Sequence, residues 1–262
     1  MGAGTSDAGH LRDLVVHLTK REVTAKHRLT LLGWAWPVVR QLAQLVVLVF
    51  VFTRLFDLGQ DNYAIFLFIG LISFAWFSSA MTDGATSVLS RRHLVSQPRF
   101  PSAVIPVVAV AVPFVDLLLA LPILLGMLIV VGELAPSALL IGPLMAVQFL
   151  LMCGVAWGCA AVAVYVRDIP NVVVVTTLLL FYVTPVFYSF DMLEQQRVGE
   201  GARTLLELNP LGVLIEAYRS VLLGESGPSL LAVGEVAAAS VALAALGLFL
   251  FRRLEPRFVD EL

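Results

Sequence analysis

Six long, nearly uninterrupted apolar runs divide the chain, at residues 36–52, 64–81, 103–131, 139–165, 172–190 and 230–251. A hydrocarbon core about 30 Å thick needs roughly 20 apolar residues per helical crossing, and the runs are close to that length or beyond it. Backbone amides in lipid must be satisfied within their own segment, so such runs are predicted to be helical. The expected fold is all-α and integral to the membrane, with six transmembrane helices.

A different pattern precedes the first run. Leu11, Leu14, Val15 and Leu18 recur at helical spacing, with Arg12, Asp13, Lys20 and Arg21 mostly off that stripe. This predicts an amphipathic interface helix lying on the inner membrane surface. Trp34 and Trp36 follow the basic cluster Lys26-His27-Arg28, as indole rings do at the headgroup zone, and Pro37 suits an early helical position. The third run contains Pro106, Pro113 and Pro122, which predicts a bent or tilted helix. Between the fifth and sixth runs, residues 191–228 hold an amphipathic segment of their own. Asn209 is suited to the N-cap and Pro210 to the first turn, and Leu211, Leu214, Ile215, Tyr218 and Leu222 form a stripe opposite Glu216 and Arg219. Two arrangements fit: short re-entrant helices dipping into the membrane, or a helix resting on its outer surface.

Composition agrees with lipid as the solvent. The chain is 59% hydrophobic and 14% charged, with a mean hydropathy of +0.92. A net charge of −2 gives no sign of a nucleic-acid partner, and the placement of the positive charges is more informative. Twelve of the 17 lysines and arginines fall on one side if both termini are cytoplasmic, while Arg40 sits at the inner end of the first span. The expected division is a cytoplasmic segment over residues 1–35, a membrane domain over 36–251 and a cytoplasmic tail over 252–262. No removable signal peptide is visible.

Chemistry-bearing motifs are sparse. There is no G-x-x-x-x-G-K-[ST] phosphate loop, and Lys20 and Lys26 are the only lysines. The four histidines fall in predicted cytoplasmic segments without an H-E-x-x-H motif, and no G-x-S-x-G elbow occurs. Neither a metal nor a catalytic constellation is expected. Cys153 and Cys159 face different directions on one helix and read as packed thiols. Asp116 is the clearest mid-membrane ionisable group; it fits either a transport path or a hydrogen-bonded helix contact, and Asp83 is expected at a different depth. Aromatics crowd the second and fifth runs, where they fit a glycan path or ordinary helix packing. Trp76, Phe77, Asp116, Tyr182 and Tyr188 are the candidates for lining a path.

Several local patterns occur in a fixed order: Leu32-Gly33-Trp34-Ala35-Trp36-Pro37, Arg99-Phe100-Pro101 with Pro106, Tyr165-Val166-Arg167-Asp168-Ile169, and Thr184-Pro185-Val186-Phe187-Tyr188. Leu208-Asn209-Pro210-Leu211, Glu216-Ala217-Tyr218-Arg219 and Phe251-Arg252-Arg253-Leu254-Glu255 with Phe258 complete the set. Together they resemble the membrane permease of ABC-2-type exporters of lipid-linked polysaccharides, the O-antigen and teichoic-acid group, over nearly the whole chain. The resemblance implies a homodimer in the bacterial inner membrane. Two cytoplasmic ATPase subunits would bind ATP and Mg, so this chain would be a transport subunit without a cofactor of its own. It further implies that the N-terminal helix, with Lys20 and Arg21, and the connection carrying Arg91, Arg92, His93, Arg99, Phe100 and Pro101 meet the ATPase. Asn209, Pro210, Leu214, Glu216, Tyr218 and Arg219 would belong to a re-entrant lid at the outer mouth. One departure stands near the start, where Lys20-Arg21-Glu22 replaces the Arg-Asp pair frequent in that family. The same architecture exporting a drug or small lipid is the nearest alternative, and an intramembrane lipid-modifying enzyme is the alternative of another class.

Overall fold

The computed structural model describes residues 4–27, 32–54, 62–97, 100–132, 134–189, 208–224 and 227–261, and every regular element among them is helical. Helix α1 covers Gly4–His27, α2 Trp36–Arg54, α3 Tyr63–Ser90, α4 Arg92–Val95 and α5 Val104–Val131. Then come α6 over Ile141–Tyr165, α7 over Ile169–Val183, α8 over Pro210–Leu223, α9 over Leu230–Leu254 and the short α10 over Phe258–Glu261. Short 3-10 turns lead into α2, α6 and α10.

Five segments are long and apolar enough to cross a membrane, built on α2, α3, α5, α6 and α9. The fifth predicted run differs from the expectation. Helix α7 starts at Ile169, with Pro170 in its first turn, and stops at Val183 after 15 residues. At 1.5 Å per residue that is about 22 Å, short of a full hydrocarbon thickness. Pro185 is the cause, because it disfavours helical geometry at the residue before it, and Thr184 is extended with ψ at 139°. By contrast, α3 runs past the end of its apolar stretch. Thr82, Thr86 and Ser87 donate their hydroxyls to carbonyls three or four residues back, so these polar side chains are satisfied within the helix itself. Helix α5 is continuous through Pro113 and Pro122.

Helix α3 forms the axis of the bundle, with α2, α5, α6, α7 and α8 around it. The closest approach is between α6 and α9. A Cβ built on Gly154 would lie 2.7 Å from the backbone nitrogen of Ala244, and one on Gly247 would run into the Gly154 carbonyl. In lipid, where burial of apolar surface does not drive helices together, such small-residue contacts supply the van der Waals packing that does.

At the end of the bundle that holds α4, Val88, Val95, Ile105, Val164, Phe251 and Phe258 form a separate apolar cluster. Phe258 is fully buried there, so the segment after α9 folds back onto the bundle. Trp157 donates its indole N–H to the Ala103 carbonyl at 2.8 Å, and Tyr165 its hydroxyl to the Leu254 carbonyl at 3.1 Å. Helix α1 does not stand apart. Leu14, Val15 and Leu18 of its stripe, joined by the buried Val23, pack on Val104, Val108, Val112 and Val115 of α5, while Leu11 is exposed. The apolar face that suggested a lipid surface thus has a protein partner.

The glycine contact is open to a direct test. Gly154→Val should lower the thermal midpoint of the detergent-solubilised protein, with an overpacking cost of about 1–3 kcal/mol. Gly158→Ala, on the same helix where a new Cβ meets nothing within 4 Å, should leave the midpoint unchanged.

Candidate functional site

Three polar constructions interrupt the apolar bundle. The first is a cavity of about 570 Å³ between α2, α3 and α5, roofed by the C-terminal end of α1. Its charged lining groups are Lys26, Arg40 and Asp116, and Gln41 and Ser79 add uncharged polarity beside the rings of Trp36 and Trp76. Lys26 Nζ donates to Asp116 Oδ2 at 2.7 Å, an ion pair that ties α1 to the middle of α5. Asp116 is about 18 Å along α5 from its first residue, and Asp83 about 10 Å from the corresponding end of α3, at 1.5 Å per residue.

The second construction lies where α3 turns into α4. Arg91 Nε donates to Glu22 Oε1 at 2.6 Å, Nη2 donates to Glu22 Oε2, and Nη1 donates to the Ser87 carbonyl at 3.2 Å. This fork-to-fork geometry between guanidinium and carboxylate binds α1 to the corner. The next two side chains, Arg92 and His93, are exposed, and Val95 anchors α4 in the apolar cluster below.

The third is built on α8. Asn209 caps that helix, its Oδ1 accepting from the Leu211 amide at 3.1 Å while its Nδ2 donates to Thr184 Oγ1 at 2.9 Å. The helix is buried on nearly every side, which corrects the one-faced pattern expected for it. Leu214 and Tyr218 are buried, and so are Glu216 and Arg219 on the face opposite the stripe. Arg219 is 1% exposed; its guanidinium donates to Glu216 Oε1 at 2.9 Å, to the Val186 carbonyl at 2.8 Å and to the Tyr188 carbonyl at 3.0 Å. It also lies 3.4 Å from the centroid of the Phe66 ring. Gly70 makes the room, since a Cβ there would come within 3.0 Å of Arg219 Nη2 and of the Val186 carbonyl. Nearby, Tyr218 donates its hydroxyl to Gln148 Oε1 at 2.9 Å, and Gln148 Nε2 donates to the Ser73 carbonyl at 3.0 Å.

Among the predicted path residues, Trp76 and Asp116 meet at the cavity, and the others do not join them. Phe77 packs against Phe74, Tyr188 donates its hydroxyl to the Val183 carbonyl at 2.6 Å, and Tyr182 projects from α7 at 64% exposure. Most of the aromatic residues of the second and fifth runs stack on one another: Phe181 lies 5.1 Å from Phe74 and 4.8 Å from Phe187, centroid to centroid. Helix packing accounts for them. Of the predicted coupling residues, Lys20, Arg21, Arg92 and His93 are exposed, Phe100 packs against the apolar cluster, Pro101 is half-buried, and Arg91 is engaged by Glu22. Arg99, and residues 190–207 of the loop before α8, lie outside the described residues.

Sequence reasoning passed over Lys26, Arg40, Gln41 and Gln148 as site residues. A cation a few residues inside an apolar run, and a glutamine in the middle of one, were the available signals.

The profile of the ABC-2 type transporter family matches residues 13–223. The chain is 30% identical over 248 residues to the O-antigen export system permease protein RfbA of Myxococcus xanthus, covering 93% of this chain and 94% of that one. Against the protein of the same name in Klebsiella pneumoniae the identity is 26% over 257 residues, covering 97% and 96% of the two chains.

The α8 anchor makes a quantitative expectation. Arg219→Met strips Glu216 of its buried partner, and breaking a pair of this kind costs about 3–5 kcal/mol. The double substitution Glu216→Leu with Arg219→Met should recover part of that loss. Thermal unfolding of the two variants in detergent checks it: a single variant as stable as the parent would show that the guanidinium does not hold this region together.

Proposed function

The chain belongs to the ABC-2 type transporter family, and on that basis we propose that it is the permease subunit of an exporter carrying a lipid-linked polysaccharide across the bacterial inner membrane. The cargo class is that of O-antigen, teichoic acid or a cell-wall galactan. The observation that carries this reading is the match to O-antigen export permeases along more than nine-tenths of each chain. A cavity containing charge and indole rings inside an otherwise apolar bundle supports it.

In this reading the permease works as a homodimer with two ATPase subunits, which bind ATP and Mg and supply the energy. The chain itself has no phosphate loop in its sequence, and no cluster of three metal-ligating side chains occurs among the described residues. The α4 end faces the cytoplasm, with both termini on that side, as the excess of arginine there favours. Helix α7 together with the chain beyond it makes the fifth of six crossings, and α8 enters from the outer face as the re-entrant element. The domain division is then the cytoplasmic segment 1–35, the membrane domain 36–251 and the packed tail 252–262.

Coupling divides between two neighbouring arginines. Arg92 and His93, exposed on α4, would touch the ATPase together with Lys20 and Arg21 on α1. Arg91 would act within the permease, transmitting movement of α4 to α1 through Glu22.

Depletion of the protein in its native host should cause a lipid-linked glycan to accumulate in the cytoplasmic leaflet, identified by mass spectrometry of extracted lipids. Absence of any such species would overturn the reading. The two arginines should separate in an ATPase-stimulation assay on the reconstituted complex. Arg92→Glu should weaken stimulation severalfold without loss of fold. Arg91→Glu should also weaken it, and the added change Glu22→Arg should restore much of it by reforming the pair in reverse. No recovery in the swapped variant would remove the α1 link from the coupling route.

A further inference from the structure

The segment after α9 carries a motif that the export reading leaves without a task, Phe251-Arg252-Arg253-Leu254-Glu255 with Phe258. Pro256 has no amide hydrogen to continue the α9 ladder, and the chain tightens into a 3-10 turn over Glu255–Arg257. Phe258 follows the turn and is fully buried in the bundle, while Arg257 and Val259 on either side of it are exposed. Its ring meets Phe251 edge to face, 5.3 Å between centroids, and lies 6.3 Å from the ring of Tyr165. Tyr165 also donates its hydroxyl to the Leu254 carbonyl at 3.1 Å, which ties the start of the tail to α6.

The same apolar cluster holds α4. Four residues are too few to make a stable helix by themselves, because a first hydrogen-bonded turn is unfavourable without tertiary packing. Val95 is buried in the cluster and Leu94 packs against it, whereas Arg92 and His93 are exposed. Helix α6 contributes the small Ala160 and Ala161 beside Val164, so the rings of Phe251 and Phe258 supply much of the bulk. Both rings are among the largest fully buried side chains of the protein. Behind them, α6 and α9 meet backbone to backbone at Gly154 and Gly247.

We infer that the tail is a brace for α4. Phe258 is a positioning residue that fixes α4 against the α6 and α9 pair and so sets how Arg92 and His93 are presented. The inference rests on the export reading for α4 as the ATPase contact. The brace is a second connection from α4 into the bundle, separate from the ionic one through Arg91 and Glu22. It is apolar, so salt that screens an ion pair does not weaken it.

The test uses the full chain in nanodiscs with Cys153→Ala and Cys159→Ala, carrying one spin label on a cysteine introduced at Ser96, exposed at the end of α4. A second sample carries the label at Thr24, exposed on α1. In Phe258→Ala the Ser96 label should become severalfold more mobile by its line shape. The Thr24 label should keep the parent's mobility, because α1 packs on α5. Phe258→Leu, which keeps an apolar side chain in the cluster, should restore most of the immobilisation. Val95→Ala, a smaller truncation of the same cluster from the α4 side, should also mobilise the Ser96 label. In the reconstituted complex Phe258→Ala should lower ATPase stimulation at least threefold, Phe258→Leu should lower it less, and Arg257→Glu should leave it unchanged.

An unmoved Ser96 label in Phe258→Ala would overturn the brace, and where that variant does not fold the Val95→Ala label decides in its place. Equal loosening at Ser96 and Thr24 would overturn it as well, since Phe258 would then support the bundle as a whole. Loss of stimulation in Arg257→Glu as large as in Phe258→Ala would make the tail a contact surface instead. The label measurement involves no ATPase, so the two readings fail separately. A mobilised α4 with unchanged stimulation would sink α4 as the ATPase contact and leave the brace standing. Lost stimulation with an unmoved Ser96 label would sink the brace alone.

Discussion

A guanidinium cannot shed its charge in a protein, so burying one obliges the surroundings to supply oxygen on every side. Arg219 makes this demand at the α8 end of the bundle. Its partners come from α3, from α8 itself and from the turn after α7, and it fixes these three in one arrangement. The break in α7 at Thr184 and the absence of a side chain at Gly70 both serve this contact. The first turns carbonyls inward, and the second leaves the space they share with the guanidinium. Helix α8 is consequently held by charge as well as by its apolar stripe, and the Tyr218–Gln148–Ser73 chain fixes its rotation against α6 and α3.

Much of this was legible in the sequence, for a physical reason. Lipid permits few backbone structures, so length and apolarity located the helices at 36–54, 63–90, 104–131, 141–165 and 230–254, with ends a few residues off except at α3, which continues nine residues past its expected end at Met81. The end of α7 was harder, because the run stays apolar through Phe187 while the Thr184-Pro185 step stops the helix. Amphipathicity told that α1 has an apolar face but not what covers it, and a valine ridge on α5 satisfies that face as well as lipid would. Arg91 and Arg92 are adjacent in the chain, yet Arg91 stands at the non-helical corner between α3 and α4 while Arg92 opens α4, so they meet different fates, which a count of charges cannot distinguish. Glu216 and Arg219 were placed on the polar side of α8, and that side is buried too. The cavity was half visible: Trp76 and Asp116 stood out inside apolar runs, whereas Lys26, Arg40 and Gln41 reach it from segments whose juxtaposition is tertiary.

The polar groups at the α4 end form a connected chain of contacts. From the exposed face of α4 the path goes through Arg91 to Glu22, one turn along α1 to Lys26, and across to Asp116 in the cavity wall. Both α1 contacts are ionic and partly open to solvent, so water can take the place of either partner when the pair separates. A connection of this kind can be remade in more than one position, unlike the Arg219 cluster, where the guanidinium is fully buried and moving Glu216 away would leave it without its carboxylate.

The Gly154–Gly247 contact has a kinematic consequence. Two backbones touching without intervening side chains have no layer of rotamers to absorb a sliding displacement, so α6 and α9 must travel together as one strut. Helices α2 and α7, by contrast, leave much of their surface facing outward. In any cycle of shape change, α6 and α9 would then serve as one common frame against which the other helices move.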